Sequence, residues 1–246
     1  MPGVQTDVGG LRAIELNFRP LRDISTGKSI CYLTRTHLNT PGLGVLMPET
    51  FRPAAETYGK SKKLFPLEIL QLAESLRDLN NANRVYDWFS IDMPLSILMD
   101  RAAAAVSDKI FEQFALAPNK ICFVIPEQVL VVNDPTAADN ISRLRRLGYH
   151  VMLSSFGENG CPFLRLSELP VDYVLLSPYV TQSLGKSERT DQAVRSIIGF
   201  VNELQCEPLA DGVQNSSQAE SLYEFGCNYC AGPLSGDYVS LSELLE

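Results

Sequence analysis

The stretch Asp134-Pro135-Thr136-Ala137-Ala138-Asp139-Asn140-Ile141-Ser142-Arg143-Leu144-Arg145-Arg146-Leu147-Gly148-Tyr149-His150-Val151-Met152-Leu153 decides the fold. Asp134 is an N-cap residue and Pro135 suits a first helical turn, where its missing N–H costs nothing. Ala137 to Leu147 keeps a helical period, Gly148 stops it, and Tyr149 to Leu153 is a β-rich run that follows at once. Working outward, the same alternation recurs. The β-rich runs are Ala13 to Phe18, Ser29 to Leu33, Trp88 to Ile91, Ile121 to Ile125, Tyr149 to Leu153, Tyr173 to Leu176 and Cys206 to Leu209. Helical periods fall between them, most clearly at Pro66 to Leu79, Ala137 to Leu147, Asp191 to Leu204 and Ser217 to Phe225, the last ended by Gly226. Strand and helix in alternation imply a mostly parallel sheet covered by helices. This many strands in 246 residues predicts a TIM-like (β/α) barrel, with an open doubly wound sheet as the alternative. No repeat, low-complexity tract or Gly/Ser linker divides the chain. A single barrel domain is expected over 11–246, after a flexible segment 1–10.

Composition narrows the function classes. Acidic residues number 29 against 21 basic ones, for a net charge of -8. That balance excludes a broad phosphate-neutralising face, so no nucleic-acid partner is expected. No run approaches the roughly 18 to 20 apolar residues of a membrane span. Met1 to Gly10 carries neither a basic nor an apolar leader, and the expected compartment is the cytoplasm. Six cysteines are too few for a disulfide scaffold and are expected as thiols. Cys227 and Cys230 have CxxC spacing without a second pair, and His37 and His150 stand alone. Two buried small residues beside a strand are expected there rather than a metal or redox centre.

In a barrel, function sits at the carboxyl ends of the strands. Those ends supply Cys31 to Arg35, Asp92, Val124 to Glu127, Ser154-Ser155, Leu175 to Ser177 and Asp211 to Gln214. Asp92, Glu127 and Asp211 are their only acids, and none carries lysine or histidine. Acid–base or hard-metal chemistry needs more than this. Gly157-Glu158-Asn159-Gly160 is read as a turn, an anion cradle being the weaker reading.

The same positions resemble a known family from about Leu16 to Leu245. Phe18-Arg19-Pro20-Leu21-Arg22-Asp23 with Thr26-Gly27-Lys28 resembles the opening "YQPIVD...TGK" of the EAL domain, the cyclic-di-GMP phosphodiesterase barrel. Leu43 to Glu56 is similar to its "LGLISPDEFIPLAE", Phe156-Gly157 and Leu169-Pro170-Val171-Asp172 to "DDFG" and "LPVD". Ala210 to Asn215, Gln218-Ala219-Glu220 and Gly226 to Tyr229 resemble "AEGVET", "QAE" and "GCDY".

The resemblance implies two divalent ions held by carboxylates and an asparagine, with a lysine beside the attacking water. This chain departs at those places. Cys31-Tyr32-Leu33 stands for Glu-Ala-Leu, Asp92 for the metal Asn, Val124 for a Glu and Ser154-Ser155 for paired Asp. Leu175 replaces the lysine, Ser177 an Asp, and Asp211 and Gln214 replace Glu; Glu127 alone is kept. No catalytic residue, no metal site beyond one weak ion between Asp92 and Asp211, and no cofactor are therefore expected. The function expected is that of a degenerate, inactive EAL-like regulatory protein acting on a protein partner of unread identity; a homodimer stays open. The alternative is a metal-independent cyclic-di-GMP receptor. Its candidate contacts are Arg19, Leu33, Arg35, Pro53, Asp92 and Asp211, with Arg35 gripping phosphate and Pro53 equally explained by packing. Residual phosphodiesterase activity is the remotest reading.

Overall fold

The junction after Asp134 forms as its chemistry dictates. Asp134 accepts the backbone N–H of Thr136 at 2.7 Å, Pro135 fills the first turn, and Gly148 ends the helix in the left-handed region at φ 97°. The computed structural model describes residues 7–8 and 11–246. In chain order the elements are β1 Asp7–Val8, β2 Leu11–Arg12, β3 Ile14–Asp23, β4 Ser29–Thr40, β5 Gly44–Leu46, α1 Pro48–Thr57, α2 Ser61–Asn81, β6 Trp88–Asp92, α3 Leu95–Leu98, α4 Ala103–Glu112, β7 Ile121–Pro126, α5 Val129–Val132, α6 Pro135–Leu147, β8 His150–Phe156, β9 Tyr173–Leu176, α7 Pro178–Thr181, α8 Glu188–Glu203, β10 Glu207–Ala210, α9 Ser216–Glu224, β11 Tyr229–Cys230 and α10 Leu241–Leu245. The expected flexible segment 1–10 lies outside the described residues apart from Asp7–Val8, which pairs with Leu11–Arg12.

The strands β4, β6, β7, β8, β9, β10 and β11 follow one another in parallel, and β3 closes the ring by pairing antiparallel with both β11 and β4. The result is an eight-stranded barrel rather than an open sheet. Its eighth strand, β11, is only two residues long and carries no periodicity to read. Cys230 is its second residue and Cys227 lies two residues before it, both fully buried.

Parallel strands covered on both sides read as continuous apolar runs. In β7, Cys122 and Val124 point into the barrel with Leu21, Leu33, Met152 and Leu209, while Ile121, Phe123 and Ile125 face the helices. On that outer side Phe89 stacks on Tyr32 at 4.6 Å and meets Phe18 edge-on at 5.1 Å, fixing β3, β4 and β6 to one another.

Helix boundaries differ from the sequence expectation where burial outweighs local signals. Helix α2 begins at Ser61, not Pro66; Pro66 lies inside it because the turn before it buries Ser61 and Phe65. Helix α8 begins at Glu188, capped reciprocally by Ser187 and Thr190. Among the described residues no helix is long and apolar enough to cross a membrane.

Gly232, just past β11, has φ 135°, and a Cβ there would stand 2.5 Å from the Val213 nitrogen and 2.6 Å from its oxygen. Gly232→Ala is expected to cost about 3 kcal/mol in urea unfolding, combining backbone strain with a backbone clash. A loss below about 1 kcal/mol contradicts this close approach.

Candidate functional site

A cleft of about 330 Å³ opens at the carboxyl ends of the parallel strands. Leu33 forms part of its floor, and Val124 and Leu175 add apolar walls where the resembled family has a Glu and the lysine. Above that floor three arginines meet three carboxylates. Arg52 on α1 reaches Asp92 at 3.2 Å, Arg19 on β3 reaches Asp211 at 3.7 Å, and Arg35 on β4 bonds Glu49 at 2.7 Å. The ring of Tyr238 lies between two of these cations, 4.4 Å from the Arg19 guanidinium carbon and 4.7 Å from that of Arg35.

Arg52 also bonds Glu68 at 3.0 Å, so one guanidinium serves two acids. Glu68 is fully buried, and burial pushes its carboxyl above the usual range against the pull of Arg52. Burial likewise raises Asp92, with Arg52 opposing, and raises Asp211, with the Gly212 N–H and Arg19 opposing. For Arg52, burial works against the charge, but Asp92 and then Glu68 outweigh it and hold its pKa above the ordinary value.

Four of the residues expected at the site, Leu33, Arg35, Asp92 and Asp211, line the cleft together. Arg19 borders it through Asp211 and Tyr238. Pro53 stands apart, exposed and lining a neighbouring hollow, because one step along α1 turns the side chain by about 100° from Arg52. Arg52 and Tyr238 were not read from the sequence. The available signal for Arg52 was its charge in the block Phe51-Arg52-Pro53, where the resembled block has isoleucine; Tyr238 lies beyond the last of the resembling blocks, which ends at Tyr229.

The turn after β8 is no free anion cradle. Glu127, 2% exposed, accepts the N–H groups of Gly157 at 2.8 Å and of Asn159 at 3.0 Å, as well as the Asn159 side chain. The one retained acid is thus spent on holding a loop. Cys31, at the Glu of the signature, is 6% exposed inside the barrel, and burial pushes its thiol up to about 12. Cys227 and Cys230 are likewise raised by burial, Cys230 to about 11.

A pair of divalent ions does not fit these donors. Asp92 and Asp211 each face a guanidinium, Glu127 faces amides, Ser154 bonds the Ile125 carbonyl at 3.3 Å, and Cys31 is a buried thiol. Among the described residues no three His, Cys, Asp or Glu side chains converge to hold an ion.

The model of the EAL domain matches residues 9–237. The chain belongs to the EAL domain family. The cyclic di-GMP phosphodiesterase RocR of Pseudomonas aeruginosa is 27% identical over 236 residues, 95% of this chain and 60% of RocR. The cyclic di-GMP phosphodiesterase PdeB of Shewanella oneidensis is 25% identical over 235 residues, 94% of this chain and 27% of PdeB. The chain therefore spans about 60% or less of these curated relatives. The PaMucR phosphodiesterase in its c-di-GMP complex superimposes with a TM-score of 0.86 at 18% identity, covering 94% of each chain, a likeness of fold. This EAL-domain barrel therefore shares the architecture of the family and belongs to a family of cyclic-di-GMP signalling.

The raised Asp92 pKa gives a signed expectation. A raised pKa means that the folded chain binds the Asp92 proton more tightly than the unfolded chain does, so this contribution is full in acid and is lost as pH rises through the folded pKa. Asp92→Asn does not titrate. The stability of the natural chain relative to this variant is expected to fall as pH rises above about 4 in urea titrations. A rise instead would mean that pairing with Arg52 outweighs burial.

Proposed function

We propose that this EAL-domain chain does not hydrolyse cyclic-di-GMP and acts in cyclic-di-GMP signalling as a regulatory module that engages another protein. The observation that carries the reading is the occupation of Asp92 by Arg52 and of Asp211 by Arg19. A two-ion phosphodiester hydrolysis needs a clamp of hard oxygen donors that offsets the repulsion between two dications about 4 Å apart and lowers the pKa of a bound water. Here the clamp positions hold a thiol, two hydroxyls, valine and leucine, and the two remaining aspartates already have cations of their own.

A second observation favours a protein partner over a nucleotide. Tyr238 fills the space between Arg19 and Arg35, and each of the three guanidiniums already faces a carboxylate, Arg52 facing both Asp92 and Glu68, so the mouth carries no excess of positive charge. A dianion would find no net attraction at long range. The cleft also lies at the low end of the ~300–1,000 Å³ typical of small-ligand pockets.

The alternative, a metal-independent receptor for cyclic-di-GMP, rests on Arg35 and Arg19 standing together over Leu33. Guanidiniums grip phosphate without any metal, and a displaced Tyr238 ring offers a stacking face.

Three measurements separate these readings. Incubation with cyclic-di-GMP and Mg²⁺ or Mn²⁺ is expected to give no linear product above a protein-free control; product would overturn the proposal. Calorimetry in EDTA is expected to show no binding; heat that Arg35→Ala abolishes would establish the receptor reading instead. Affinity purification from the native cell is expected to recover a stoichiometric protein partner, and repeated recovery of the chain alone would count against one.

A further inference from the structure

The opposite end of the barrel holds a larger hollow than the mouth, about 710 Å³. It is built from the first residues of the parallel strands: Trp88 opens β6, His150 opens β8, Tyr173 opens β9 and Tyr229 opens β11. In barrels of this type that end is a packed face serving stability. Here the half-buried rings of His150, Tyr173 and Tyr229 line an open space, with Trp88, 3% exposed, at its base. The Trp88 indole N–H donates to the Tyr173 hydroxyl at 3.2 Å with ring centres 5.2 Å apart, and the His150 ring lies 5.5 Å from Tyr173. Three rings are thus held as one wall, with Tyr229 also lining the space.

The charge around these rings is unevenly matched. Asp172 is bonded by Arg145 at 2.6 Å and by the Val151 N–H at 2.9 Å. Glu207 accepts from the neutral Asn228 amide at 3.0 Å, and Asp87 makes no ion pair among the described residues. Lys120, the cation in the lining, donates to the Tyr86 carbonyl at 2.6 Å and rests over the Tyr86 ring at 5.1 Å. The carboxylates are felt inside: besides burial, Asp23, Glu207 and Asp87 raise Tyr229, and Asp87 raises Cys31.

We infer that this basal hollow binds a small organic cation, an ammonium carrying apolar substituents, with the aromatic wall against its carbons and Asp87 and Glu207 facing its charge. Cations are attracted to the faces of Trp and Tyr rings, and neighbouring carboxylates add to the attraction. An anion is opposed by the sign of the rim. A bare metal ion has no converging set of donors here among the described residues. The inference is independent of what the mouth does.

The chain has a single tryptophan, and it is the one in this hollow. Its emission therefore reports occupancy directly in the natural chain. The probe is choline, with 3,3-dimethylbutan-1-ol as its uncharged carbon isostere, at ionic strength matched with NaCl. Choline is expected to change the Trp88 emission saturably, with the alcohol at least about tenfold weaker. The double variant Asp87→Asn/Glu207→Gln, altered where Asp87 is exposed and Glu207 half-buried, is expected to weaken choline about tenfold while keeping the emission of the folded chain. No saturable change up to about 50 mM choline, well above the millimolar range of weak sites, would overturn the inference. So would equal responses to choline and the alcohol, or undiminished choline binding by the folded double variant.

Discussion

Closure of the sheet is the constraint on which the molecule depends. Strand β3 pairs along its length with β4 and, at its far end, with β11, joining the two ends of a sheet that would otherwise be open. A closed eight-stranded ring encloses just enough room for side chains to fill. Leu21, Cys31, Leu33, Trp88, Cys122, Val124, Met152, Leu175, Leu209 and Ala231 fill it. Because the interior is solid, the two ends are separate chambers, and each is shaped by whichever residues happen to begin or end a strand.

At the mouth, each guanidinium pairs with a carboxylate, while the Nε atoms of Arg19 and Arg52 and one carboxylate oxygen of Glu68 are buried without a hydrogen-bond partner. Val124 and Leu175 extend the interior packing upward to the cleft, and Glu127 turns away to clasp the loop that follows β8. The charges above that packing form ion pairs with one another. Buried or half-buried charges persist only when paired, and the sharing of Arg52 between Asp92 and Glu68 meets that demand for two acids with one guanidinium. The chain belongs to the EAL domain family, and Cys31, Val124, Ser154, Ser155 and Leu175 give this mouth its chemistry.

Much of the architecture was legible in the sequence because it rests on local signals. The Asp134-Pro135 start, the Gly148 stop and the apolar runs Ile121 to Ile125 and Tyr173 to Leu176 are features of a few adjacent residues, and the structure keeps them. What escaped was set at long range. Strand β11 is too short to show a period and exists because β10 and β3 flank it. Pro66 looks like a helix start until Ser61 and Phe65 are seen buried before it. At the site, Leu33, Arg35, Asp92 and Asp211 were readable by position, since strand ends converge in any barrel. The pairing of Asp92 with Arg52, from a helix forty residues earlier, and the seat of Tyr238 between two arginines depend on packing that no spacing encodes.

The arginine–carboxylate pairs also bear on how the mouth would respond to substitution. Suppose mutation placed acids at positions 31, 124 and 154. Arg52 and Arg19 would still hold Asp92 and Asp211, and an incoming ion would have to compete with a tethered cation for each carboxylate. Removing Arg52 first would strand Glu68, fully buried, without its counter-charge. Each single substitution is therefore costly by itself, and only several together would give a balanced site. The pairs lock the mouth into its present arrangement.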